Sequence, residues 1–527
     1  MPLLDSGLWL WEDWLGLQDA ATTYLRPQSV EQLLAYLSFV TDPTRLRIRA
    51  IGAGHSTSDV ARPYRRPGAG AARAGIVVRT DRMALAFAAE ASAWWRPGVV
   101  SQDKLMRVEA GASIATLNRR FFDAGLAFPN LGSYDQQAIA GALATATHGT
   151  GMVTPPLCDL VASIELVTFL RGANGQPRLA HLRIEPRGGP TDRAAFEAAA
   201  GVHGMELWRD TDADDDAFYS AVVGLGMFGI VTAVTLRLTD RFWLKETQRL
   251  EPWSVLRTKL PQEADQDWFD FTMTARPTHN GPGGLEHKCL VTTRTREASA
   301  GWGTPRNDAR RRKLLDKGKS RHPLTKQLAG LASQHPRIAN FTTTTTFEEE
   351  ANESLTPNRS ASHHILRTSI GDLVLATSAE VSIPFDQVVP AIDALIAHCA
   401  ALEGEGLNHT SPFGVRFSQA SKHYVAMAYG RKTCTIEAPL LQYTKARGGP
   451  HASESSEAVI ARILSRFEAA MRAAVPSARF HHGQRAAHTA AALDAYPKAA
   501  QYRAQHARLD PFGLFANDAS RRLGLTP

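Results

Sequence analysis

The run Ala138–Gly151, AIAGALATATHGTG, is built almost throughout from small residues, with Thr145, Thr147 and Thr150 interleaved. An amphipathic core helix needs a repeating stripe of bulky apolar side chains, and this run does not supply one. A backbone that must lie flat against a large planar ligand and its diphosphate calls for small residues. So does a tight, glycine-packed bend. Alone, the run leaves those two readings open.

A second stretch narrows the choice. RIRAIGAGHSTSDVARP (Arg47–Pro63) carries an alternating strand into the turn Gly52-Ala53-Gly54-His55-Ser56-Thr57-Ser58. Glycines admit positive φ and let backbone N–H groups approach a phosphate, and the three hydroxyls add donors. This is not the dinucleotide fingerprint of a Rossmann unit, because Thr57 occupies the position of the third glycine.

At 527 residues the chain exceeds one ordinary core, so two domains are expected. With 44% hydrophobic and 21% charged residues it reads as globular, and no apolar run reaches the length of a membrane span. The opening MPLLDSGLWLWEDWLGLQDA carries acids and no basic leader, so the expected address is cytoplasmic, with no membrane partner. Much of the net charge of +7 lies in one block, Arg306–Lys326, without interleaved aromatics; a solvated face is expected there, not a nucleic-acid site. Cys158, Cys289, Cys399 and Cys434 are scattered, which suits buried free thiols. The pairs His363-His364 and His481-His482 are adjacent and lack helical ligand spacing, so no metal is expected.

The first half alternates strands and helices. Ser29 with Gln32 makes a capping box for VEQLLAYLSFV, and Ser113 caps IATLNRRFFDAGLA, whose Ile114, Leu117, Phe121 and Leu126 form a stripe closed by Gly125. LRIRAI, GIVVRT, LMRVEAG, SIELVTFL and GIVTAVTLRLTD read as strands, the last two joined by an acidic segment near Asp210–Asp216. After Arg241 the pattern changes. Polar loops, the basic block and NFTTTTTFEEEANES precede a strand and a helix introduced at Pro384, and YVAMAYG and TCTIEAPL read as further strands. The tail AYPKAAQYRAQHARLDPFGLFAND is a helix stopped by Asp510-Pro511 and Gly513. The fold class is α+β: a ligand-binding domain over 1–241, a second sheet domain over 242–478, and a segment, 479–527, returning to the first.

Four stretches carry a family resemblance, in order: RAIGAGHSTSD, GLAFPNLGSYDQQAIAGALATATHGTG, VVGLGMFGIVTAVTLRL and YPKAAQYRAQHARLDPFGLFAN. They resemble the aldonolactone and alditol oxidases, covalent flavoproteins of the vanillyl-alcohol-oxidase (PCMH-type) fold. The likeness runs through most of the chain. It implies an FAD-binding domain of two subdomains and a substrate (cap) domain on a mostly antiparallel sheet. It also implies FAD bonded through an imidazole nitrogen to its 8α-methyl group, the matching residue being His55. Gly52 to Ser58 would follow the diphosphate. Ser133, Ala138, Gly141, Ala142, Leu143, Ala144 and His148 would meet the flavin, and Ile230 the adenine side. Gly132 matches the position beside the flavin's reactive carbon, where a small residue leaves oxygen a path.

The substrate side departs from the family. Of its Glu-x-Arg, Arg416 remains but Gly414 replaces the glutamate; its HWGK-like turn appears as HHGQ, with His481 kept, His482 for tryptophan and Gln484 for lysine; and Glu437 stands where a histidine or asparagine contributes. Alcohol oxidation needs a base for the O–H proton. Glu437 paired with Arg416 is the expected source, a structural ion pair the competing reading; His481 and His482 are second choices and His488 a weaker one. The implied activity is oxidation of a CH–OH group of a small molecule other than a simple aldonolactone, with O2 as acceptor and H2O2 released. The alternatives are a dehydrogenase or oxidative tailoring enzyme of a biosynthetic pathway, acting on CH–NH or C–C bonds, and a flavin-binding protein without turnover.

Overall fold

A computed structural model describes residues 5–12, 19–63, 74–88, 94–99, 104–209, 215–279, 284–297, 321–354, 357–367 and 375–526. The acidic segment at 210–214 and the basic block at 306–320 lie outside these residues. Helix starts fall where the caps put them. Ser29 Oγ accepts the N–H of Gln32 at 3.4 Å, and Gln32 Oε1 accepts that of Gln28 at 2.8 Å, opening the helix Val30–Leu37. Ser113 Oγ accepts the Thr116 N–H at 3.2 Å, and the helix Ile114–Asp123 buries Ile114, Leu117 and Phe121. Gly125 follows at φ 79°, a left-handed conformation that a side chain would resist.

The described strands build three main sheets. The first runs Asp5–Glu12, Asp19–Arg26, Ala74–Arg79, Leu46–Ile51 in spatial order, its last two pairings parallel. The second, six-stranded, centres on Val161–Arg171 and Ile230–Arg237, with Leu105–Glu109 beyond. Val161–Leu170 is buried at every position, so both faces of that strand are covered. The third sheet orders Asn358–Ala361, Trp243–Pro252, Lys288–Glu297, Asp270–Met273, Phe413–Ser418, Thr433–Leu441, Ala376–Pro384 and Arg479–Phe480, every pairing antiparallel.

Period-two alternation divides the faces of the third sheet. Phe413, Val415, Phe417, Cys434, Ile436, Ala438, Ala379, Val381 and Ile383 join one core with residues of the helices Trp253–Glu263, Val388–Gly404 and Ser456–Ala474. Gly414, Arg416, Glu437 and Glu380 therefore point to the opposite face. Val388–Gly404, with the turn before it, is long and apolar enough to cross a membrane by composition. Its Val388, Ala391, Ile392, Leu395 and Leu402 are instead buried against this sheet, which accounts for the apolar content. The four cysteines are free and buried.

One stretch differs from expectation. YVAMAYG is not a strand: it makes turns, with Ala426 N–H bonded to His423 O and Tyr429 N–H to Ala426 O. Tyr424, Val425 and Ala426 are apolar because they pack into the first domain's core, and a buried turn shares that composition with a buried strand. NFTTTTTFEEEANES lies in one helix, Pro336–Glu353. Its β-branched threonines are accommodated by back-bonding to the carbonyl four residues earlier, as for Thr342, Thr343, Thr344 and Thr346. The C-terminal helix Ala499–Leu509 stops at Asp510, whose carboxylate accepts the N–H groups of Leu514 and Phe515. Ile48 N–H then bonds Leu514 O at 2.8 Å, fixing the tail to the strand that leads into the first glycine turn.

Candidate active site

One continuous cavity of about 820 Å³ lies between the glycine-rich segments and the free face of the third sheet. On the first side it is lined by Gly52, Ala53, Gly54, His55, Ser56 and Thr57, which leave the strand Leu46–Ile51 with Gly54 at φ 72°. The second segment packs directly on this turn. A Cβ at Gly52 would stand 2.6 Å from the Ala138 Cβ, so both positions must be small. Gly132, Ser133, Ala138, Gly141, Ala142, Ala144 and His148 also line the cavity. A Cβ at Gly141 would meet nothing within 4 Å, so the helix Ile139–Ala144 presents bare backbone to open space. A large flat group fits such a surface. His55 lies at its margin, its ring 4.2 Å from that of Tyr134.

The opposite wall is a row across neighbouring strands: Thr272 pairs in register with Gly414, Gly414 with Glu437, and Glu437 with Glu380. Arg416 crosses this row. Its Nη1 donates to Glu437 Oε2 at 3.1 Å and its Nη2 to Ser133 Oγ at 3.2 Å, with Glu380 Oε1 3.7 Å from Nη1. Burial alone would weaken the guanidinium's hold on its proton, but Glu437 and Glu380 outweigh it and raise the pKa.

Behind the row sits a second pair. His148 Nδ1 lies 2.9 Å from Gly149 O and Nε2 3.2 Å from Glu380 Oε1. Both ring nitrogens face oxygens, an arrangement that favours the protonated ring. Burial opposes that charge, but Glu380 reverses the balance and raises the His148 pKa. Burial would likewise keep Glu380 protonated, yet His148 holds it well below the usual carboxylate range. Gln484 Nε2 donates to Glu380 Oε2 at 3.4 Å. His481 is different. Its Nδ1 accepts the Gly483 N–H at 3.0 Å, leaving the proton on Nε2, and burial lowers its pKa to about 4. At neutral pH it is therefore a donor into the cavity and not a base.

Most expected site residues thus converge on one space, and a few do not. Ser58 is buried, its hydroxyl donating to His482 O at 2.6 Å, because the chain there turns in under the loop. Leu143 lies on the inner face of its helix, within the first core, and Ile230 is wholly buried between the first two sheets. His482 stacks on Tyr496, and His488 bonds Gln484 O. Glu380 and Arg49 are among the lining residues that were not foreseen. Glu380 gives only a weak signal, a carboxylate between Ala379 and Val381 in an apolar strand. Arg49 sits in LRIRAI, and its buried guanidinium donates to the carbonyls of Gly226 at 2.8 Å, Leu225 at 2.9 Å and Phe515 at 3.1 Å. Away from the cavity, Cys158, Asp159 and His423 also come together, within 4.8 Å, a grouping their sequence spacing did not announce.

Comparison with known proteins agrees with this geometry. Residues 21–173 match the model of the FAD binding domain, and residues 234–523 that of D-arabinono-1,4-lactone oxidase. The chain is 24% identical over 521 residues to an L-gulono-1,4-lactone dehydrogenase of Mycobacterium tuberculosis, covering 98% of this chain and 99% of the relative. It is 25% identical over 480 residues to an alditol oxidase of a Streptomyces species, covering 89% of each. Among solved structures, cholesterol oxidase from B. sterolicum superposes with a TM-score of 0.70 at 12% identity, over 99% of this chain and 97% of that one, a likeness of fold.

Proposed function

From the fact that the chain belongs to the D-arabinono-1,4-lactone oxidase family and is an FAD-dependent oxidoreductase, we propose that it oxidises the CH–OH group of a small molecule other than a simple aldonolactone, with O2 as final acceptor. FAD, when bound, supplies the two-electron acceptor for the carbinol hydride. The turn Gly52–Thr57 and the segment from Gly132 to His148 hold it, with the imidazole of His55 as its covalent tether. The packing of His55 against Tyr134, the two rings tilted by 56°, supports that role by holding the ring.

The observation that carries the chemistry is the transposed carboxylate. A Cβ built at Gly414 would lie 3.9 Å from both Glu437 Cβ and Oε2, so Glu437 reaches from the adjacent strand toward the space that Gly414 leaves clear. Glu437 takes the hydroxyl proton as the C–H bond releases its hydride, leaving a carbonyl product. Arg416, anchored at once to Glu437 and Ser133, orients the substrate oxygen and offsets negative charge that develops beside it. His481 Nε2–H donates a hydrogen bond into the same space, and Gln484 steadies Glu380. Anaerobic bleaching of the flavin by an alcohol, followed by rapid reoxidation in air with release of H2O2, tests the reading. Failure of every alcohol to bleach it would leave a flavin-binding protein without turnover.

A dehydrogenase is the second reading, favoured by the likeness to the mycobacterial L-gulono-1,4-lactone dehydrogenase. Gly132, a small residue lining the cavity at the position the resemblance sets beside the flavin's reactive carbon, favours the oxidase instead. Slow reoxidation by air, with fast reoxidation by an artificial dye, would decide for the dehydrogenase.

A further inference from the structure

Beyond the Arg416–Glu437 end, the cavity runs along two helices, Arg321–Gln334 and Pro336–Glu353. Leu328 and Leu331 of the first line it, with Thr342, Thr343 and Thr346 of the second. These threonines keep acceptor oxygens but offer no free donor. Their hydroxyls donate to the carbonyls of Ile338, Ala339 and Thr342 at 3.0, 3.1 and 3.0 Å, which commits the donor hydrogens to the helix itself. Across the cavity, the Thr410 hydroxyl lies 2.9 Å from that of Thr444 and accepts the Leu441 N–H at 3.0 Å. Neighbouring Pro412, Pro439 and Leu441 bring no side-chain donor. Among the described lining residues, Glu380, Arg416, Glu437 and the histidines all belong to the other end, and Arg49 to the side of the first glycine turn.

The wall is also fixed in place. Leu375 N–H bonds Thr325 Oγ1 at 2.9 Å, Asn408 Nδ2 donates to Ala332 O at 3.0 Å, and Asn340 Nδ2 to Arg276 O at 3.1 Å. Yet Leu328 and Leu331 each keep 37% of their surface exposed. Apolar surface held open inside a cavity wants an apolar occupant, whereas most hydroxyls of a polyol would give up water there for a wall whose threonine donors are engaged, Ser411 adding a single hydroxyl beside Pro412.

We infer that the substrate is an alcohol with a largely apolar body, its carbinol at Arg416–Glu437 and its body along the helix pair, with Leu328 and Leu331 setting the specificity. This rests on the reading of Arg416 and Glu437 as the reacting end. It is tested by binding, so that failure of turnover and failure of the inference are distinguishable.

The oxidised holoprotein is titrated with ethanol, butanol, hexanol and octanol, and separately with sorbitol, each followed by the perturbation of the flavin absorption band. Affinity is expected to tighten by about fourfold for each added methylene, with sorbitol weaker than hexanol. The variants L328D and L331D, at partly exposed positions, are expected to retain flavin and lose most of that chain-length dependence. F341S, at a residue 69% exposed on the neighbouring helix Pro336–Glu353 and outside the cavity lining, is expected to keep it. An affinity that does not change with chain length, sorbitol binding tighter than hexanol, or a dependence that survives in both aspartate variants would each overturn the inference. A protein that binds the series as expected yet oxidises none of it would refute the proposed function and leave this assignment standing.

Discussion

The substitution Glu437→Gln separates proton transfer from architecture. The amide keeps the shape of the carboxylate and an oxygen able to accept from Arg416 Nη1, which is 3.1 Å away. Arg416 retains Ser133 Oγ at 3.2 Å and Glu380 at 3.7 Å, so its position does not depend on Glu437 alone. The Arg416–Glu437 pair is about a quarter exposed on each side, and such a partly solvated pair is worth at most about 1 kcal/mol of stability. As a base, by contrast, Glu437 should contribute ~10²–10⁴-fold to the rate, or about 2.7–5.4 kcal/mol of barrier. The assay is anaerobic stopped-flow reduction of the flavin by whichever alcohol bleaches the wild type, with a thermal melt and the flavin-to-protein ratio measured on the same samples. The expected result is a reduction rate at least a hundredfold slower, with the melt and flavin content nearly unchanged. A reduction rate within about threefold of wild type would make Glu437 a structural partner of Arg416 and refute the reasoning.

Other outcomes follow from the same geometry. Gly52→Ala forces a Cβ to 2.6 Å from that of Ala138, which should cost about 1–3 kcal/mol in a thermal melt and lower the flavin content; a variant as stable and as yellow as wild type would contradict the close packing of the two segments. Glu380→Gln leaves His148 without its buried counter-ion and should cost about 3–5 kcal/mol at pH 6, where chemical denaturation reads it. Because the folded pKa of His148 is raised, its contribution is complete below its ordinary value and fades as pH rises through the raised one; His148→Gln should remove that alkaline dependence. Burial acts oppositely on His409, lowered to about 3, and on His398, His481 and His506, each lowered to about 4. Their contribution is present above pH 6.5 and is lost as pH falls toward 4, at up to about 1.4 kcal/mol per pH unit for each; melts across that range should show it, and a flat profile would contradict their burial as neutral rings.

Where the backbone itself makes the site, the sequence was readable. Gly52 leaves little freedom of residue type, since a Cβ there would meet Ala138, whereas Gly141 meets no protein atom and its smallness keeps the cavity surface bare. Arg416 and Glu437 were reached through the family resemblance, and the alternation of their strands puts them opposite the apolar set that fills the core. The side chains of Ser58, Leu143 and Ile230 turn away from the cavity, because a motif gives proximity in the chain and not the direction of each side chain. The His148–Glu380 pair joins residues on different domains, and nothing local in either stretch anticipates it. The apolar wall was concealed more thoroughly. A run of threonines reads as polar until its hydroxyls are seen bonded back into their own helix.

The central claim is that the first glycine turn and its histidine hold the flavin at the edge of the Arg416–Glu437 space. The mass of the tryptic peptide Ala50–Arg65, which contains His55, tests this most directly. The account predicts a peptide carrying the mass of FAD, which remains yellow after acid precipitation of the protein. An unmodified peptide, with all of the flavin released into the acid supernatant, would contradict it.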